Sequence, residues 1–140
     1  MSNYPTITGN SGYGDQADKS FAQFKAGEDI DKGAPVYIST VADDGITVLM
    51  AKADTPMVGI ATEDADEGAF FKAQTKGFCE YILTDGGVTS GQMLIPGTDV
   101  CDSVAIGSAD AAEAWVGFGI ALADDASTVL SAAWIDCFGS

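Results

Sequence analysis

With 140 residues, 46% of them hydrophobic and 19% charged, the chain has the make-up of one folded domain, long enough to bury roughly two thirds of the surface its unfolded form exposes. Its 21 acidic residues face 6 lysines, with no arginine and no histidine, for a formal net charge of −15. That balance argues against free nucleic acid and anionic membrane as partners, both of which are held through lysine and arginine, and it removes the usual general base and the bidentate anion clamp.

Residues 1–20 are rich in Gly, Asn, Ser and Asp, and their apolar residues stand apart from one another. This stretch reads as an extended N-terminal arm, with a frayed terminus as the competing reading. In the arm reading Tyr4, Pro5, Ile7 and Tyr13 are isolated anchors for a neighbouring surface, and Phe21 and Phe24 mark the hinge to the domain. The opening MSNYPTITGNSGYGDQ has neither a basic region nor an apolar core, so it is not expected to be a secretory signal. No apolar run is long enough to span a bilayer.

From Phe21 to the C-terminus, short β-prone runs alternate with turn chemistry about every ten residues, the punctuation of an all-β domain. The predicted strands are 35–39, 46–51, 57–62, 69–75, 78–84, 92–96, 115–122 and 128–136. Acidic and glycine turns such as DDG (43–45), EDADEG (63–68) and DGG (85–87) separate them. In 69–75 the set Phe70, Lys72, Gln74 alternates with Phe71, Ala73, Thr75, and Phe71 is expected in the core. In 78–84 strict alternation places Cys79, Tyr81 and Leu83 on one face and Phe78, Glu80 and Ile82 on the other. The segment 108–115 reads either as a turn or two of helix capped by Ser108 or Asp110, or as a loop. Trp115 and Trp134 fall inside predicted strands and are expected to pack in the core.

The chain repeats itself weakly. Gly59, Ile60 and Ala61 superpose on Gly119, Ile120 and Ala121, Asp64 falls on Asp124 and Phe70 on Leu130. Upstream, Gly33 and Gly91 each open a strand after a short polar turn. The predicted fold is therefore a compact antiparallel β-barrel or sandwich built from two related halves, residues 21–140, behind the arm.

Cys79, Cys101 and Cys137 are an odd, widely spaced set without histidine, expected as free, core-like thiols in a reducing cytoplasm rather than as metal ligands. EDADEG has carboxylates at alternating positions but not the spacing of an EF-hand. Hydrolase, P-loop, zincin and dinucleotide signatures are missing from the sequence, and no carboxylate pair is singled out as a glycosidase dyad. No catalytic residue, metal or cofactor is expected.

Five ordered pieces carry a family resemblance: Ala26-Gly27 through Ile30, Lys32-Gly33 and Pro35-Val36-Tyr37; Val58 to Gly68; Lys76 to Phe78; Val88 to Gln92; and Val116 to Asp125. Together they resemble the small capsid cement, or decoration, proteins of tailed phages, over about residues 26–136. The resemblance implies a β-rich protein made in the bacterial cytoplasm and bound to the outer surface of the virion head. It implies the major capsid protein as partner, and self-association as a homotrimer, with a dimer second. It brings no catalytic or cofactor residue. Residues 99–113 and the hairpin near 41–55 lie outside the recurring pattern. The alternative from another class is a soluble carbohydrate- or receptor-binding β-module, assisted by calcium at the acidic turns.

Overall fold

A computed structural model of the chain describes residues 19–124 and 128–137. Nine strands form one hydrogen-bonded sheet: β1 (Ser20–Ala26), β2 (Pro35–Ile38), β3 (Thr47–Met50), β4 (Gly59–Ala61), β5 (Phe70–Asp85), β6 (Met93–Pro96), β7 (Cys101–Val104), β8 (Gly119–Ala121) and β9 (Thr128–Asp136). A 3-10 turn (Ile106–Ser108) and one short helix, α1 (Ala111–Val116), lie between β7 and β8.

The pairing order β1-β3-β2-β4-β5-β7-β6-β8-β9, with additional β1–β5 and β5–β9 contacts, closes the sheet on itself twice. The first ring is β1-β3-β2-β4-β5 and the second is β5-β7-β6-β8-β9, so β5 is the shared wall of two small barrels. Closure removes the exposed edges that an open sheet of this size would have to protect. The fold is mostly β, as predicted, but it is mixed rather than antiparallel. β1 runs parallel to β3 and β5 parallel to β7, through two pairs in one case and a single pair, Thr84 with Cys101, in the other.

The two rings are copies of one plan, and several of their backbone bonds coincide at equivalent residues. Gly33 N–H donates to Ala61 O and Gly91 N–H to Ala121 O, both at 2.8 Å. Ala61 N–H donates to Ala34 O and Ala121 N–H to Gln92 O, both at 3.0 Å. The acidic turns match too, since Asp64 Oδ1 accepts from Lys32 N–H at 2.8 Å and Asp124 Oδ1 from Ser90 N–H at 2.7 Å. These carboxylates tie the turn after β4 or β8 to the turn before β2 or β6, a local job that accounts for their place in the sequence.

Each barrel has its own interior. Phe24, Ala26, Ile30, Val36, Val48 and Phe71 fill the first, while Cys79, Ile82, Leu94, Phe118, Ala133 and Ile135 fill the second. The second core runs on into Met57 and Ile60, which belong to the outside of the first barrel and join the two.

The predicted strands at 69–75 and 78–84 are one strand, β5, passing through Gly77 at φ +105°, a conformation open to glycine at little cost. A register shift between Cys79 and Ile82 breaks the expected alternation, so both of these side chains point inward. Residues 115–122 are not one strand either. Asp110 caps α1 by accepting from Glu113 N–H at 2.8 Å, while Glu113 Oε1 accepts from Asp110 N–H at 3.0 Å, and this capping box carries the chain through Trp115 as helix before β8 begins. β7 lies within the segment that stood outside the recurring pattern, yet it is the counterpart of β3 and closes the second barrel.

Candidate functional site

The alternation of β1 and β5 puts Phe24 and Phe71 inside the first barrel and leaves Phe21, Gln23 and Lys25 facing outward opposite Gln74, Lys72 and Phe70. Phe70 is 59% exposed and Phe21 37%. The Lys72 ammonium lies 5.3 Å from the Phe21 ring centroid, within cation–π range. Two shallow grooves flank this pair. One, of about 360 Å³, is bordered by Phe21, Gln23, Glu63, Phe70 and Lys72. The other, of about 460 Å³, runs between Lys19, Thr62, Glu63, Lys72 and Tyr81. Lys25 on β1, Lys72 and Lys76 on β5, and Lys19 just before β1 bring four of the six lysines to this stretch.

A second surface draws residues from both halves of the chain. Trp115, at the C-terminal end of α1, is 87% exposed and borders an apolar groove of about 310 Å³ with Pro56, Val58, Val116 and Phe118. Trp115 therefore contradicts the expectation of core packing, because a helix of six residues turns only Val116 inward. Trp134 is half-buried on the outer side of β9. Beside it, Ile120 and Leu122 of the β8 region are 42% and 44% exposed.

Of the contact residues expected from the sequence, Phe21 stands exposed on the lysine-rich face and Phe24 is buried in the first core, 7% exposed. The two sit on opposite sides of β1, an integral strand of the first barrel, rather than at a hinge. Tyr4, Pro5, Ile7 and Tyr13 lie outside the described residues. Sequence reading passed over Phe70, Ile120 and Leu122, although their alternation with the inward Phe71 and Ala121 marks them as outward and apolar.

The three thiols and Tyr81 are tied up in structure. Burial pushes the Cys79 thiol up to about 11 and Cys137 to about 12, and it drives Cys101 well above the ordinary thiol value. Such thiols are poor nucleophiles. Burial likewise raises Tyr81, whose hydroxyl donates to Gln74 Oε1. The Gln74 amide donates onward to Lys76 O and Phe78 O at 3.1 and 2.9 Å, so a fully buried polar side chain is satisfied on both ends. Among the described residues no group of three or more potential metal ligands converges, and no helix is long and apolar enough to cross a membrane.

No family model and no curated protein matches the chain. Its fold is similar to that of the head fiber gp8.5 N base of bacteriophage phi29, with a TM-score of 0.60, over 84% of this chain and 94% of that one. At 18% sequence identity, the likeness is one of fold.

Proposed function

We propose that this chain is a structural protein of a tailed-phage virion, a capsid cement protein that binds the outside of the major capsid protein shell as a homotrimer and stabilises the mature head without catalysis. The observation that carries the reading is the likeness in fold, over 84% of this chain, to the N base of a phage head fiber. The sequence resemblance to decoration proteins points the same way from separate evidence. A net charge of −15 suits a protein kept on the outside of a DNA-filled shell, where it is repelled by the genome and by unbound copies of itself. Attachment then rests on apolar contact area and backbone pairing. One such element is assigned to it: the arm before β1, with Tyr4, Pro5, Ile7 and Tyr13 as anchors laid along a capsid strand edge.

The test is co-sedimentation of the purified protein with expanded empty heads. Saturable binding at a fixed copy number per head is expected, and a protein that stays in the supernatant at every concentration would sink the reading. Deleting residues 2–18 leaves β1 whole, so the truncated chain is expected to fold but to lose most of its head binding. Undiminished occupancy would remove the arm from the proposal. The exposed Trp115 beside its apolar groove is what favours the second reading, a carbohydrate-binding module. A glycan array with and without calcium tests it, with binding abolished by Trp115→Ala as the expected signature.

A further inference from the structure

The junction between the two barrels has two unlike sides. On the first barrel it is a row across β2, β4 and β5, namely Pro35, Ile60 and Gln74, with the Gly33 turn beside it, all of them buried. On the second it is formed by β5 and β9. Tyr81 bonds Gln74, Leu83 N–H donates to Gly33 O at 2.9 Å, and a Cβ placed on Gly33 would meet the Tyr81 carbonyl oxygen and come 2.9 Å from Leu130 Cδ2.

Because the barrels repeat, each side of this junction has a counterpart on the other barrel, and both counterparts are open. The row equivalent to Pro35, Ile60 and Gln74 is Met93, Ile120 and Trp134 on β6, β8 and β9. Ile60 is wholly buried whereas Ile120 is exposed, and Leu122 extends the apolar surface. Gly91 holds the same backbone conformation as Gly33, φ +85° against +87°, yet a Cβ there would meet nothing within 4 Å. The counterpart of Tyr81, Leu83 and Leu130 is Gln23, Lys25 and Phe70, the exposed face of the first barrel, with Phe21 next to it.

We propose that copies of this chain associate head to tail, the Phe21/Phe70 face of one copy seated on the Ile120/Leu122 face of the next, so that the contact between copies repeats the one each copy makes between its own barrels. Charge supports a second copy as the occupant. The Phe70 face carries four of the six lysines, and everything from Gly77 onward has acidic side chains and not one lysine. The backbone bond of the internal junction has no counterpart between copies, since Lys25 N–H already donates to Ile46 O at 2.8 Å, so the contact is made by side chains. The two faces differ, which makes the interface heterologous: it closes into a ring when the rotation per copy divides a full turn. The inference rests on the preceding reading only in taking the assembly to be made of identical copies.

Ile120→Asp and Phe70→Asp, each on the surface, separate the two faces. Light scattering and sedimentation velocity on the full chain are expected to show a closed oligomer for the wild type, and a folded monomer for either variant, with association weakened about 30-fold or more. An equimolar mixture of the two variants retains one intact pair of faces and is expected to form a dimer of one copy each and nothing larger. A monomeric wild type, a variant that keeps the wild-type mass, or a mixture that stays monomeric would each overturn the proposal, the last by pointing to a like-with-like contact. Should either aspartate variant lose its circular dichroism signature, Leu122→Lys and Lys72→Glu replace the pair under the same criteria. Head binding is scored separately: a mixture that dimerises while no form of the protein binds heads upholds this proposal and sinks only the cement reading.

Discussion

Gly33 and Gly91 are the same residue twice, with the same positive φ and the same 2.8 Å bond, to the end of β4 in one case and of β8 in the other, and they differ only in what surrounds them. Alanine at either position is strained by its Cβ, at about 1 kcal/mol. At Gly91 that is the whole cost, because the added methyl enters open space. At Gly33 the methyl would overlap the Tyr81 carbonyl oxygen and lie 2.8 Å from Leu83 N, backbone atoms of the shared strand that have no freedom to rotate away. The barrels must separate locally, losing the Leu83-to-Gly33 hydrogen bond, about 1 kcal/mol, and overpacking the junction, about 1–3 kcal/mol more.

Gly33→Ala is therefore expected to cost about 3–5 kcal/mol and Gly91→Ala about 1. For a chain of this size these correspond to melting-temperature drops of more than about 10 °C and of about 4 °C. Thermal unfolding in the Ile120→Asp background keeps self-association out of the comparison. Far-UV circular dichroism follows both barrels, and fluorescence follows the second, which holds both Trp115 and Trp134. Two drops within about 2 °C of each other would refute the claim that Gly33 is fixed by the neighbouring barrel rather than by its own turn.

Three further predictions test separate parts of the structure. Asp44, in the β2–β3 connection, is lowered to about 2, first by the Thr47 hydroxyl and then by the Ile46 and Thr47 amides, so its contribution to the turn is present above the ordinary value of 3.8 and is lost as pH falls towards 2. An NMR titration should place the Asp44 midpoint near 2 and move it up towards 3.8 in Thr47→Val; an unmoved midpoint contradicts the assignment. Cys79, Cys101 and Cys137, held as thiols by burial, should resist alkylation at pH 8 in the native protein and all react once it is unfolded; rapid native labelling of Cys79 or Cys101 would show that the second core opens. Asp110→Ala removes the capping box of α1 at about 1 kcal/mol, which should speed exchange of the Ala114 amide about fivefold with little change in melting temperature, and an unchanged exchange rate would mean that packing rather than capping holds the helix.

The duplicated plan was legible because its signals are short and chemically constrained: a glycine at positive φ, a Gly-Ile-Ala strand packed against its neighbour, and an aspartate that caps the facing turn. Parallel pairing was not, because β1–β3 and β5–β7 meet over two pairs and one pair, too little to imprint a pattern. β7 escaped notice because only Cys101 of Cys-Asp-Ser-Val is buried. The helix is half legible, since Asp110 is a cap residue and Glu113 three residues on completes the box, but the aromatic run that follows carries a competing strand pattern. The exposed faces were the hardest part. Whether an outward Ile or Phe meets water or a neighbour depends on which barrel it belongs to, and Ile60 and Ile120 have the same local sequence with opposite fates.

That last pair also bears on how so acidic a chain would associate in the proposed assembly. Screening confines repulsion between exposed charges to about 8–10 Å at moderate ionic strength, so the charge near a contact matters more than the total. With four lysines on the Phe70 face, the local field there opposes the net −15, so in the proposed contact a neighbour presenting Ile120 and Leu122 from the lysine-free barrel is attracted to that face. Exchanging Lys25, Lys72 and Lys76 together for glutamine would leave both barrel cores intact and remove this steering. The expected result is slower association at low salt, with a rate that becomes similar to that of the wild type at high salt. A triple variant that associates at the wild-type rate throughout would show that the lysines serve some other contact.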